Sequence, residues 1–200
     1  MFYVKLRCKN AILRVSDKEA GKNIPENMKL HNSLGIDIGS TTVKIAVLDS
    51  DNHILFADYE RHYANIQETL ALLLSRAKEK LGEMTVRASI TGSGGLTLSR
   101  HLNIPFTQEV VAVATALQAY APQTDVAIEL GGEDAKIIYF TGGIDQRMNG
   151  ICAGGTGSFI DQMASLLQTD ASGLNDYAKH YQMIYPIAAR CGVFAKSDIQ

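Results

Sequence analysis

Residues 35–44 read GIDIGSTTVK, and this stretch decides the fold. Apolar residues on both sides of its centre predict two buried strands, 34–38 and 43–48, joined by a turn of Gly, Ser and Thr. Because glycine has no Cβ, the backbone N–H groups of such a turn can approach phosphate oxygens closely. A single turn of this kind is also common in ordinary hairpins, so alone it does not define a site.

The same pattern returns in the second half of the chain. Residues 37–45 read DIGSTTVKI and residues 129–137 read ELGGEDAKI, so each has an acid, a Gly two residues later and a Lys seven residues later. Mg²⁺ keeps several waters and takes one or two carboxylates, and a lysine can offset charge on a transferring phosphoryl group. The repeat therefore predicts a nucleotide-phosphate site. The candidate catalytic acids are Asp37, Glu129 and Asp134, and the candidate nucleotide-binding residues are Gly39, Ser40, Thr41, Thr42, Lys44, Gly131, Gly132 and Lys136.

Two other kinds of nucleotide site do not fit the sequence. There is no GxxxxGK(S/T) stretch, which excludes a P-loop. The first Gly turn leads into a second strand instead of a helix, which argues against a Rossmann dinucleotide site.

Composition places the chain among soluble globular proteins, with 46% hydrophobic residues. The formal net charge of -2 gives no reason to expect nucleic acid as a partner, although residues 1–33 carry seven Lys/Arg against three Asp/Glu. No apolar run is long enough to cross a membrane and no signal peptide is apparent, so we expect a cytoplasmic protein without membrane contacts. Three cysteines are too few for a disulfide framework.

We expect three parts in the chain: a basic extension (1–33), a first domain with the first turn (34–123) and the start of a second domain (124–200). Apolar spacing predicts an amphipathic helix over 66–81, and Ser158 with Asp161 predicts a capping box for a later helix. Tyr177, Tyr181 and Tyr185 predict a helical stripe packed in the core. Dispersed histidines show no metal-ligand spacing and predict surface or core roles: His31, His53, His62, His101 and His180.

The two turns resemble known phosphate loops. Residues 35–44 are similar to the phosphate-1 loop of the actin/Hsp70/sugar-kinase superfamily, and residues 128–136 to its phosphate-2 loop. The resemblance implies an α/β fold: an actin-like ATPase (ribonuclease-H-like) first domain plus an incomplete second domain. It also implies that ATP, with Mg²⁺, lies between the paired loops.

Two cysteines extend the resemblance. Cys152 precedes a predicted helix and Cys191 stands where another could begin, positions that favour a thiolate; from spacing alone, buried core cysteines are the commoner reading. The segments 152–159 and 190–198 resemble those of activators of 2-hydroxyacyl-CoA dehydratases and of benzoyl-CoA reductase ATPase subunits. This resemblance implies a homodimer in which each subunit gives two cysteines to one shared 4Fe-4S cluster, and ATP hydrolysis that drives a low-potential electron into the partner enzyme.

Two alternatives remain open from the residues. One is a sugar-kinase-like phosphotransferase with structural cysteines, and the other is an inactive fragment. Members of the resembling family continue beyond the second cysteine, so we expect the chain to be an N-terminal part of a longer protein that binds ATP weakly by itself.

Overall fold

The computed structural model describes residues 4–7, 12–15, 32–149 and 154–200. These ranges contain nine strands and six helices. The strands are β1 (Val4–Arg7), β2 (Ile12–Val15), β3 (Asn32–Ile38), β4 (Thr42–Leu48), β5 (Ile54–Arg61), β6 (Thr85–Thr91), β7 (Val126–Leu130), β8 (Ala135–Tyr139) and β9 (Asp145–Met148), and the helices are α1 (Ile66–Leu81), α2 (Gly95–Leu102), α3 (Glu109–Tyr120), α4 (Gly157–Leu166), α5 (Ala171–Lys179) and α6 (Gly192–Ile199). The chain divides into two units, Met1–Ala116 and Leu117–Gln200.

The first unit contains a six-stranded sheet in the order β2-β1-β6-β3-β4-β5. Strands β3, β4 and β5 form an antiparallel meander, whereas β6 runs parallel to β3. A parallel neighbour needs a crossover connection, which α1 supplies. Parallel strands end at the same edge of a sheet, so Asp37 on β3 lies beside Thr91 on β6.

Along β3 and β4, buried residues alternate with more exposed ones, so the core and the predicted site lie on opposite faces of the sheet. Every second residue of the two strands is buried, and α1 covers this face with Leu70, Leu73, Leu74 and Ala77. Burying each of these leucine side chains stabilises the fold by about 1.5–3 kcal/mol. Successive residues of a strand point to opposite faces, and Asp37 therefore lies on the face away from α1.

The N-terminal segment contributes backbone to this sheet. Strand β1 pairs antiparallel with β2 on one side and with β6 on the other, where Val4 lies opposite Val86. The segment 1–33, expected as an extension, thus contains two strands at the edge of the sheet.

The second unit contains an antiparallel sheet in the order β7-β8-β9 and the helices α4, α5 and α6. Its buried apolar residues include Ile138, which is fully buried on β8, and Met163, Ala164 and Ala195 on the helices. No helix in the described ranges combines the length and the apolar character that a membrane span requires.

Two local predictions were wrong. Thr156, and not Ser158, is the N-cap of α4, and its side chain makes no capping bond to the helix. The N–H of Ser158 bonds the carbonyl of Gly132 at 2.9 Å. The tyrosine stripe is neither helical throughout nor buried, because α5 ends at Lys179 and the three rings are 60–72% exposed. Tyr185 precedes Pro186, a position that disfavours helical backbone.

Candidate functional site

The turn between β3 and β4 is a tight hairpin, which we call the first turn (residues 39–42). The N–H of Gly39 donates to the carbonyl of Thr42 at 2.9 Å. Asp37 and Lys44 lie directly opposite each other across the hairpin, and Lys44 Nζ bonds Asp37 Oδ2 at 2.8 Å. Both side chains remain partly exposed, at 50% for the lysine and 34% for the aspartate.

The end of β6 packs against this turn. The N–H of Gly94 donates to the carbonyl of Ile38 at 2.9 Å. Gly92 has a φ of +96°, and a Cβ placed on it would overlap the Ile38 carbonyl and approach Asp37 Oδ1 to 2.5 Å. Thr91 Oγ1 is buried and has no hydrogen-bond partner in the described part of the chain. Neither Thr91 nor Gly92 belongs to the repeated pattern, so the sequence alone does not predict them as residues of the site.

The turn between β7 and β8, which we call the second turn (residues 131–134), repeats this arrangement. Gly131 donates its N–H to the Asp134 carbonyl at 2.8 Å, and Glu129 lies opposite Lys136. Lys136 Nζ lies 3.3 Å from Glu129 Oε1 and 3.3 Å from Asp134 Oδ2, and its side chain is only 7% exposed. Glu129 Oε2 is buried and accepts no hydrogen bond from the described residues.

The first residues of α4 hold the second turn from one side. Gly157 donates its N–H to the carbonyl of Gly131 at 2.8 Å, and Ser158 donates to that of Gly132 at 2.9 Å. In a trans peptide the carbonyl and the following N–H point in opposite directions. The N–H groups of Gly132 and Glu133 therefore point away from α4, which is the orientation that an anion on that side would need.

The seven-residue spacing of the repeat has a simple structural meaning. In both hairpins it places the acid and the lysine in the same cross-strand pair, Asp37 with Lys44 and Glu129 with Lys136. Cross-strand pairs of opposite charge stabilise a sheet by a few tenths of a kcal/mol up to about 1 kcal/mol. Carboxylate, lysine and outward-facing amides together supply what a phosphate with Mg²⁺ would require. The two turns belong to different units.

The cysteines are only partly within the described residues. Cys191 is the N-cap of α6, is half-buried and forms no side-chain capping bond. Nearby, the N–H of Ala188 donates to Asp198 Oδ2 at 2.8 Å. Cys152 lies outside the described residues, as does Cys8.

A family model and individual relatives assign the chain to the same family of ATPases. The BadF/BadG/BcrA/BcrD ATPase family matches residues 34–200. The (R)-2-hydroxyglutaryl-CoA dehydratase activating ATPase of Acidaminococcus fermentans is 28% identical over 172 residues, covering 84% of this chain and 65% of that protein.

Solved structures agree with this assignment. The A. fermentans (R)-2-hydroxyglutaryl-CoA dehydratase component A superposes with a TM-score of 0.71 at 26% identity, covering 84% of this chain and 66% of that one. The activator of 2-hydroxyisocaproyl-CoA dehydratase from Clostridium difficile, with bound ADPNP, gives 0.67 at 26% identity, with coverages of 84% and 63%. The chain thus spans about two thirds of the length of these relatives. The expected resemblance and the expected α/β, actin-like ATPase fold are confirmed.

Proposed function

The chain belongs to the BadF/BadG/BcrA/BcrD ATPase family, and we propose that it is an ATP-hydrolysing iron–sulfur activator of a 2-hydroxyacyl-CoA dehydratase or of a benzoyl-CoA reductase type of enzyme. The names of its relatives support the kind of partner, because they are dehydratase activators. One relative is itself named an activating ATPase, and the structure of another contains bound ADPNP.

The observation that carries the proposal is the pair of matching hairpins. Each places a carboxylate and a lysine opposite each other beside a glycine turn. We propose that each turn binds phosphate groups of ATP, the first through residues 39–42 and the second through Gly131 and Gly132.

The carboxylates fit a hydrated Mg²⁺. A buried carboxylate oxygen without a donor is costly to keep unless a metal, a water or a ligand satisfies it. Glu129 Oε2 is buried and has no donor in the part of the chain that the structure describes. Bound Mg²⁺ would neutralise charge that develops on the phosphoryl group during transfer. In the proposed mechanism Asp37, Glu129 and Asp134 accept hydrogen bonds from water and orient it for attack.

The two lysines differ in how readily they could turn to a phosphate. Lys44 and Asp37 form a partly exposed ion pair. Such pairs contribute about 0–1 kcal/mol to stability, so little stability is lost when Lys44 turns towards a phosphate. Lys136 is only 7% exposed and is shared between two carboxylates, so turning it towards a phosphate would break two ion pairs at once. We therefore assign phosphate contact first to Lys44 and charge balance within the second turn to Lys136.

The cluster is proposed to use Cys152 and Cys191 from each subunit of a homodimer, four thiolates for one 4Fe-4S cluster. Cys191 is compatible with this role because it is the half-buried N-cap of α6, and the positive end of a helix stabilises an anionic group such as a thiolate-ligated cluster. A bound cluster would supply one-electron transfer at low potential. Cys152 stands just ahead of α4 in the sequence, and the first amides of α4 bond the second turn. A shift of that turn on hydrolysis would therefore reach the segment that carries Cys152.

Nucleotide binding can be tested with matched substitutions. Asp37→Asn and Glu129→Gln should each weaken Mg-ATP binding about 10- to 100-fold, the range for losing a hydrogen bond to a charged group. The control is Asp145→Asn, an exposed carboxylate on β9 paired with Arg147 at 3.3 Å. Fluorescent-nucleotide titration with and without EDTA measures the effect. Wild-type affinity in both site variants would sink the proposal.

The cluster can be tested by anaerobic purification. We expect a brown dimer containing iron and sulfide that loses its colour in Cys152→Ser and Cys191→Ser but keeps it in Cys8→Ser. Reduction of a dehydratase by the coloured dimer should require ATP. A colourless protein whose ATP hydrolysis is stimulated by a sugar would instead favour the sugar-kinase alternative.

A further inference from the structure

His62 is a buried histidine beside the first turn. It follows β5 directly, is 9% exposed and contacts the turn through both its backbone and its ring. Its N–H donates to the carbonyl of Thr41 at 3.2 Å, and its Nε2 lies 3.3 Å from the carbonyl of Gly39. From the sequence, His62 is expected to have an ordinary surface or core role, because no pattern connects it with the repeat.

The ring has one arrangement that satisfies both of its nitrogens. The N–H of Ala64 donates to Nδ1 at 3.0 Å, so Nδ1 carries the lone pair and Nε2 the hydrogen. Nε2 is therefore the donor to the Gly39 carbonyl. The assignment follows from the hydrogen-bond network.

The backbone after His62 is strained in a way that serves this contact. Tyr63 and Ala64 both have positive φ, at 43° and 71°, which non-glycine residues rarely adopt. The turn is closed by the N–H of Asn65, which bonds the carbonyl of His62 at 2.6 Å. A strained backbone of this kind persists only where the surrounding structure holds it in place. Here the hydrogen bonds of His62 hold the imidazole against the first turn.

Peptide geometry connects His62 with the amides of the turn. The carbonyls of Gly39 and Thr41 both point at His62. Since the carbonyl and the next N–H of a trans peptide are opposed, the N–H groups of Ser40 and Thr42 point away from His62. His62 therefore fixes two N–H groups in the direction that an anion opposite it would meet.

We propose that His62 is a positioning residue that orients the first turn for phosphate, through the hydrogen bond from Nε2 to the Gly39 carbonyl. The inference rests on the proposed nucleotide-binding function for its biological meaning. His62 acts through the backbone of the turn, and the groups that touch phosphate are the amides and hydroxyls of residues 39–42.

Two substitutions separate the two ring hydrogen bonds. His62→Gln keeps a nitrogen donor at the distance of Nε2, whereas His62→Asn keeps an acceptor at the distance of Nδ1. We expect His62→Asn and His62→Ala to weaken Mg-ATP binding by about 3- to 10-fold, the equivalent of one net hydrogen bond, and His62→Gln to restore most of the affinity. The control is His101→Gln, an exposed histidine on α2.

A second measurement does not depend on nucleotide. Amide hydrogen exchange over residues 39–42, without ligand, should be faster in His62→Asn than in His62→Gln, while exchange in β7 and β8 stays unchanged. If the wild-type protein binds no nucleotide, the proposed function fails, and the exchange comparison still decides the role of His62. Equal affinities in His62→Gln and His62→Asn, or equal exchange, would overturn the inference.

Discussion

Replacing Gly92 by alanine tests the close packing beneath the first turn. Gly92 is buried at the end of β6 with a φ of +96°, and an added Cβ would overlap the backbone of Ile38 and crowd Asp37. The backbone of Ile38 cannot move independently, because it belongs to the central strand and also accepts the N–H of Gly94. We therefore expect both stability and the position of Asp37 to change.

The expected magnitude has two parts. Positive φ costs a residue with a Cβ about 1 kcal/mol, and forcing extra atoms into a packed site costs about 1–3 kcal/mol more. Together these predict that Gly92→Ala lowers the free energy of unfolding by about 2–4 kcal/mol. A domain of the size of the first unit, Met1–Ala116, loses about 5 °C of melting temperature for each kcal/mol of destabilisation. The melting temperature should therefore fall by about 10–20 °C.

Gly82→Ala provides a matched control. Gly82 has a φ of +78°, yet nothing lies within 4 Å of the Cβ that it would gain. It should show the backbone cost alone, about 1–3 kcal/mol because its ψ of -167° gives a combination with φ that is essentially restricted to glycine, a fall of about 5–15 °C. Urea denaturation and calorimetry of both variants, followed by nucleotide titration at a temperature where both are folded, give the comparison. Equal destabilisation by the two substitutions would refute the argument from steric overlap.

Two further predictions concern single polar groups. The pKa of Asp49 is lowered below its usual value of 3.8, chiefly by the backbone hydrogen bond from His53, so the stability that this gives is present above pH 3.8 and is lost as the pH falls through the lowered pKa. Asp49→Asn should therefore make the free energy of unfolding, measured in urea from pH 2 to 6, less sensitive to acid. An unchanged sensitivity to acid would contradict this prediction. Thr91→Val should leave the free energy of unfolding unchanged or raise it by about 1 kcal/mol, because it removes a buried hydroxyl that has no hydrogen-bond partner among the described residues. A loss above about 1 kcal/mol in urea denaturation would contradict this prediction. Weaker Mg-ATP binding in the variant would place the hydroxyl in the nucleotide site.

Patterns with strong periodicity were read correctly from the sequence. Alternating apolar residues on both sides of the first turn predicted β3 and β4, and apolar residues at three- and four-residue steps predicted α1 with its observed bounds. The spacing between acid and lysine carried more information than a motif alone, since it identified two hairpins in the same register. Local periodicity suffices for such elements because the buried face repeats within the element itself.

Features that depend on distant residues were not predictable in this way. Ser158 matched a capping box, but its N–H bonds the Gly132 carbonyl and the helix starts earlier, at Gly157. His62 contacts Gly39 from the end of another strand, and Gly92 is required by the position of Ile38. Contacts of this kind leave no local signal in the sequence, because the register of the sheet determines which distant residue each side chain meets.

The two turns are held by the same physical device with different consequences. In each, hydrogen bonds to the carbonyls of the turn set the direction of the following N–H groups: His62 provides these bonds in the first turn, and the start of α4 provides them in the second. His62 follows β5, which belongs to the same sheet as the first turn, so a movement of the first turn would stay within that sheet. A helix is a rigid element; the first amides of α4 bond the second turn, and Cys152 stands five residues ahead of α4 in the sequence. If ATP hydrolysis is coupled to a cluster as proposed, the second turn is therefore the one that can transmit the change, and weakening its bonds to α4 should uncouple electron transfer while hydrolysis continues.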